Sequence, residues 1–410
     1  MRKRLLPSVV FATAILVAFA FATSAVARGR WAGPIAVPAQ SAGGVIGAVD
    51  DRGRATLAYP GARGPRLGRF GPGARLGTVA LANLDGSSAL ALAPDGTAIG
   101  VGTRFTPDPA APDVGYDPHD DPCCSVPVVY RWTRGAGAVP VTADVAPALQ
   151  AEYAVRELAV QPDGAAVFVA EPEGDGFGGS AFTLARIPPG GGTPVLRTVT
   201  DAATDILLAP GGATAAWRAD DESPTFRRLT LDGGLAAAPD AVRSPWRFDG
   251  QVALDGRGRV VRVSEMGRRV TVSFDGGAEH AVTTVGSDDD VVDLAAGADG
   301  TVAVAVGVGG RLRVGTVDPR GHVRRGRTVG RLVRGGGFAL AVDGRGGVHV
   351  AWRESRTVIA VRGPGGTRRF RVGGGSDVEL GPLAVSARGG VLVVWYASGR
   401  SYAAAAPASP

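Results

Sequence analysis

The chain is poor in the residues that most site chemistries require. It has two cysteines, two methionines, four histidines and, at Lys3, a single lysine among 410 residues. Two cysteines cannot staple a framework of this size, and His119, His280, His322 and His349 show no metal-ligand spacing. No Gly-x-Ser-x-Gly occurs, which removes the nucleophile elbow of serine hydrolases. Aromatic residues make up only 6% of the chain and are not interleaved with basic clusters. The known nucleic-acid modules are therefore excluded, and the arginine-dominated positive charge reads as compositional bias.

Glycine and proline, by contrast, are plentiful, at 63 and 29 residues in a chain that is 45% hydrophobic. Short apolar runs broken by many turns produce that combination, and long helices do not. At the N-terminus Arg2, Lys3 and Arg4 precede an uncharged run from Leu5 to Ala27 that ends in Ala25-Val26-Ala27. This is the pattern of a secretory signal peptide, residues 1–27, cleaved after Ala27. The expectation is a secreted, extracellular protein with no stable membrane insertion after cleavage. The alternative is an uncleaved anchor, because the run is nearly long enough to span a bilayer. Cleavage lowers the formal charge from +6 to +3 by removing three basic residues. What remains exceeds one ordinary core, so a repeat architecture or several domains is expected.

One motif recurs eight times: an apolar run, a tight Asp/Gly turn and a second apolar run. The last glycines of the turns are Gly53, Gly96, Gly164, Gly212, Gly258, Gly300, Gly346 and Gly389, spaced 43, 68, 48, 46, 42, 46 and 43 residues apart. Six spacings match a four-stranded propeller blade of roughly 40 to 50 residues, and the seventh marks an insertion. The fold class expected is all-β, an eight-bladed β-propeller over residues 28–406, with seven blades as the alternative. The last unit has only three strands, from Pro382 to Ala405, whereas Trp31 to Pro38 is an unassigned strand ahead of the first repeat. Donating it to the last blade closes the ring and removes two exposed edges. Tyr59, Trp217, Trp352 and Trp395 recur near one repeat position, which suits wedges between blades better than a stacking platform for sugars.

In a meander of this kind the Asp/Gly turns all emerge on one face, and irregular loops gather on the other, where binding is usually placed. Residues 106–127 form an Asp/Pro/Cys-rich insertion in blade 2 carrying Asp117, His119, Asp120, Asp121, Cys123 and Cys124. Glu171, Glu173 and Asp175 follow in blade 3, and Asp220, Asp221 and Glu222 in blade 4. These acidic residues are the ligand-face candidates. No cofactor is required by any motif, although Asp120 and Asp121 suit Ca²⁺, a cation that prefers carboxylate, carbonyl and water oxygens. The spacing is not that of a calcium-binding loop. Adjacent Cys123 and Cys124 suit a vicinal disulfide that staples the insertion, with a bridge between chains as the alternative.

The run Leu340 to Trp352, hydrophobic-Ala-Val-Asp-x-x-Gly followed by an apolar strand ending in Ala-Trp, resembles the repeats of secreted bacterial propellers of the sialidase-like and WD40-like kinds. The resemblance spans the mature chain and implies a fold, not an activity. The Ser-x-Asp-x-Gly-x-Thr-Trp turns of sialidases are not met, because these turns lack that Ser and Thr. Two functions follow as expectations. The first is a monomeric, non-catalytic extracellular binding or scaffold protein engaging a protein or glycan, and no nucleic acid, on its irregular face. The second is a carbohydrate-active or other hydrolytic enzyme with carboxylates at the channel mouth.

Overall fold

The computed structural model describes residues 31–39, 44–62, 64–73, 75–81, 86–105, 125–133, 139–140, 153–172, 182–200, 204–218, 225–231, 235, 239–243, 251–286, 291–372 and 378–408. The strands form eight four-stranded antiparallel sheets, numbered here as blades 1 to 8. The seven-blade alternative is thereby set aside. In blades 1 to 7 the four strands follow chain order from the innermost outward. The innermost strands pack side by side around the ring, from blade 1 to blade 8 and back to blade 1.

Blade 8 is built from both ends of the chain. Strands Glu379–Val385, Val391–Ala397 and Arg400–Ala406 are completed by Ala32–Val37, in the order expected from the missing fourth strand. Ala32 pairs with Ala405 and Val37 with Ser401. Ala403, Ala404 and Ala405 are wholly buried, because this strand, once a potential edge, now has a partner on each side.

The second strands show why each blade needs its neighbours. In blade 7, Val348–Ser355 alternates its side chains with the two-residue period of an extended strand. Val350 and Trp352 join Ala305 and Leu312 of blade 6, whereas Ala351 packs with Val391, Val393 and Trp395 of blade 8. Both faces are therefore apolar, and a strand such as Val302–Val308 reads as a nearly unbroken hydrophobic run whose first five residues are fully buried. Tyr59, Trp217, Trp352 and Trp395 are each at most 1% exposed. They are wedges, and no ligand reaches their rings.

The repeated aspartates have a local task. The Oδ1 atoms of Asp50, Asp255 and Asp343 each accept two backbone N–H groups of their own turn, at 2.7–2.9 Å. A carboxylate in this position satisfies donors that a tight turn leaves unpaired. Arg54 and Arg259, four residues on, then pair with Oδ2 of Asp50 and Asp255. Blade 7 has Gly347 at that place. His349 substitutes from the next strand, its buried Nε2 lying 3.0 Å from Asp343 Oδ2. His322 likewise pairs with Asp318, whose carboxyl is lowered to about 2, chiefly by the backbone N–H of His322. Both histidines are thus engaged within turns.

Candidate functional site

The ligand-face candidates Asp117, His119, Asp120, Asp121, Glu173, Asp175, Asp220, Asp221 and Glu222, and the pair Cys123 and Cys124, lie outside the described residues. Glu171 falls on the second strand of blade 3, paired in register with Ala154. Among the described residues no three His, Cys, Asp or Glu side chains converge as a metal site. No helix among them is long and apolar enough to cross a membrane.

Two other places carry chemistry-bearing side chains. The first is the central channel. Alanine stands two residues before the turn residue on seven of the eight innermost strands, at Ala48, Ala91, Ala159, Ala253, Ala295, Ala341 and Ala384, with Leu207 in blade 4. Small side chains suit the crowding near the ring axis. Two positions earlier, blades 3 to 6 carry Glu157, Asp205, Gln251 and Asp293. Glu157 accepts the N–H of Leu208 in blade 4 at 2.6 Å, and Gln251 donates to the carbonyl of Val292 in blade 6 at 2.8 Å. Asp293 accepts N–H groups of Leu294 and of Leu340 in blade 7. Neighbouring innermost strands do not share a backbone ladder, so these side chains tie one blade to the next.

Glu157 borders a cavity of about 350 Å³ formed by the innermost strands of blades 3 to 7. Burial raises its carboxyl to about 7, opposed by the Leu208 N–H. Burial raises Asp293 as well, against the two N–H groups that it accepts. Loops drew the attention of the sequence reading, and these strand acids were missed. Their signal was an ionisable residue at a fixed place in otherwise apolar innermost strands.

The second place lies on the face that carries the Asp/Gly turns. At several blade junctions there a long polar side chain crosses to the carbonyls of the next blade. Arg69 of blade 1 donates to Gly96 and Trp132, and Arg131 of blade 2 to Gly164 and Pro188. Gln161 of blade 3 donates to Gly212 and Leu231. Arg228 reaches Gly258, and Arg259 of blade 5 reaches Gly300 and Pro319. Arg69 pairs in register with Thr56, and Arg131 with Ile99. The corresponding residue of blade 6 is Thr316, paired with Ala303. Its side chain is too short to cross.

At this junction a groove of about 790 Å³ opens between blades 6 and 7. Thr316, Val314, Val323 and Val329 border it from blade 6, and Gly346, Val348, Val350, Gly363 and Pro364 from blade 7. Its polar rim is Arg324, Arg325, Arg327 and Arg362, all exposed. The outer strand Val323–Arg331 delivers the first three through an irregular register: Val314 faces Arg327 and Thr316 faces Arg324, so one residue is extra between these two pairs. A bulge of this sort re-aims side chains, and three arginines border one groove where a regular strand would send neighbours to opposite sides. Among the described residues, the side chains of Arg324, Arg325 and Arg327 make no hydrogen bond or ion pair, and that of Arg362 donates only to the Val329 carbonyl, at 3.5 Å.

The charge here is concentrated. Between Arg311 and Arg371 the chain has fifteen arginines against Asp318, Asp343 and Glu354, a net of +12 where the whole chain carries +6. Glu354 is taken up by a two-pronged pair with Arg369. The arginines are therefore concentrated along one stretch of chain, which the fold places on two neighbouring blades. Guanidinium groups of this density fit carboxylate, sulfate or phosphate oxygens through paired N–H donors. Among the described residues no carboxylate, histidine, cysteine or serine borders the groove.

No protein-family model matches the chain, and no curated protein matches it in sequence. Solved structures similar to it include virginiamycin B lyase from Staphylococcus aureus, with 11% identity and a TM-score of 0.46 over 92% of this chain and 99% of that one. YCF48 bound to D1 peptide is similar at 11% identity and a TM-score of 0.44, over 93% and 96% of the two chains. Prolyl oligopeptidase B from Galerina marginata is similar at 10% identity and 0.46, over 90% of this chain and 55% of that one. At these values no activity, ligand or partner passes from those proteins to this β-propeller.

Proposed function

We propose that this chain is an exported, non-catalytic binding protein whose working surface includes the arginine-rimmed groove between blades 6 and 7. The observation that carries this reading is the pairing of an open, strongly cationic cleft with a lining that, among the described residues, offers no carboxylate, histidine, cysteine or serine. Export is supported by the basic, apolar and small-residue succession of residues 1–27.

The competing reading, a hydrolase working from the channel, draws on Glu157, whose carboxyl at about 7 suits a general acid. Such an enzyme needs two carboxylates converging on one bond. Glu157 and Asp293 stand on blades 3 and 6 of an eight-membered ring, and each already accepts a backbone N–H of the following blade. Their arrangement favours a structural tie. The binding reading is tested against it by incubating the purified protein with a panel of polysaccharides, peptides and chromogenic esters. No turnover is expected, and turnover that disappears in Glu157→Gln overturns it.

A further inference from the structure

We propose that the groove between blades 6 and 7 holds a linear acidic polysaccharide, its carboxylate or sulfate groups on Arg324, Arg325, Arg327 and Arg362 and its hydroxyls on the turn backbone of blade 7. This assignment names the ligand class for the binding reading above and rests on it. Two independent observations meet at one place. The first is the cationic rim, delivered by the bulged outer strand. The second is the crossing that stops at blade 6. Where Arg69 and Arg131 donate to the turn carbonyls of the next blade, Thr316 at the same register position does not reach, and no described side chain donates to the carbonyls of Gly346 and Pro364. Those acceptors border the groove.

A ligand that complements both features must bring anionic groups and hydrogen-bond donors together. A polymer of acidic sugars does, since every residue carries hydroxyls beside its charge. Single-stranded nucleic acid ordinarily gains affinity by stacking bases on aromatic rings, and among the described residues no aromatic one borders the groove. An acidic peptide would dock best by adding a strand to the outer edge of blade 6. That edge is bulged and set with arginines, which are devices that discourage strand addition. Valines 314, 323, 329, 348 and 350 supply an apolar floor for the sugar rings.

The test uses the mature protein, with polygalacturonate and heparin as probes and dextran, polyglutamate and single-stranded DNA as comparisons, read by titration calorimetry at low and at physiological salt. Both acidic glycans are expected to bind, dextran to be silent, and the triple variant R324A/R325A/R327A to weaken binding by at least about tenfold, since each lost guanidinium removes charge-assisted hydrogen bonds. Removing Arg52, Arg75 and Arg400 together, all exposed elsewhere, is expected to leave the affinity within about twofold. Thr316→Arg is the decisive variant. It adds a positive charge yet restores the missing crossing toward Gly346, so specific seating predicts weaker binding and diffuse attraction predicts stronger. Equal losses in the two triple variants, or tighter binding by Thr316→Arg, overturn the proposal. Tighter binding of polyglutamate or DNA through the same arginines removes the glycan class and leaves the binding reading intact. Cleavage of any probe removes the binding reading itself. Unchanged thermal unfolding of each variant excludes loss of fold as the cause.

Discussion

Replacing Glu157 by glutamine should make the protein more stable at alkaline pH and leave it almost unchanged in acid. The carboxyl titrates at about 7 in the folded protein, against 4.5 for the free group, because burial disfavours its charged form. Below about pH 4.5 the group is protonated in both folded and unfolded chains, and its burial costs nothing in ionisation. As pH rises toward 7 the unfolded chain releases its proton first, and native stability is lost. Above 7 that loss is complete. Each pH unit of separation is worth about 1.4 kcal/mol, so the full penalty is about 3 kcal/mol, reduced somewhat where water enters the channel. Glutamine is neutral throughout and keeps an oxygen for the N–H of Leu208, which lies 2.6 Å from the present carboxylate. Urea unfolding followed by the fluorescence of buried Trp217, Trp352 and Trp395 measures both proteins at pH 4.5 and pH 8. Other titrating groups cancel in the difference between the two proteins. The variant should gain about 2–3 kcal/mol at pH 8 and close to nothing at pH 4.5. A difference that does not vary with pH, or a variant less stable at pH 8, would refute the burial account of this residue.

Further outcomes follow from the same physics. Asp293→Asn should move stability in the same direction, because burial raises that carboxyl too, and the pair of variants should flatten the decline between weakly acidic and neutral pH in thermal melts. Asp255→Ala should cost about 3 kcal/mol in chemical denaturation, since it removes the buried carboxylate partner of Arg259 and leaves two turn N–H groups without their acceptor. Trp217→Ala should cost about 3–5 kcal/mol by the cavity it opens between blades 3 and 4, while titration calorimetry should find glycan affinity at the blade 6 to 7 groove unchanged. Deleting residues 28–38 should lower the melting temperature sharply and promote association, because it uncovers the strand Arg400–Ala406; a deletion variant that melts like the full chain would show that closure contributes little.

The ring was legible from the chain because its determinants are local and repeated. Turns such as Asp343-Gly344-Arg345-Gly346 require a carboxylate acceptor and a residue tolerant of positive φ, which Gly346 adopts at 77°, and those needs recur at blade spacing. Closure was legible as a deficit, three strands where four were due. The groove was not legible, for two reasons. It arises where a side chain falls short, at Thr316, and the shortfall has meaning only once the register aligns that position with Arg69 and Arg131. It also depends on an irregular strand that turns Arg324, Arg325 and Arg327 toward one cleft, and pattern reading assumes regular alternation. The channel acids were hidden differently. Glu157 and Asp293 read as polar breaks in apolar strands until the ring set each of them beside the backbone of the next blade.

The pairing of Ala32–Val37 with Arg400–Ala406 also governs the order in which the molecule can be made. Contacts within a blade span a few tens of residues, whereas this one joins positions more than 360 residues apart. Loop closure over such a distance is slow relative to hairpin formation. A chain emerging from its N-terminus can assemble blades 1 to 7 in turn, yet Ala32–Val37 must wait, unpartnered, until Arg400–Ala406 has appeared. The ring therefore has a natural final step, and whatever protects Ala32–Val37 before that step protects the whole fold.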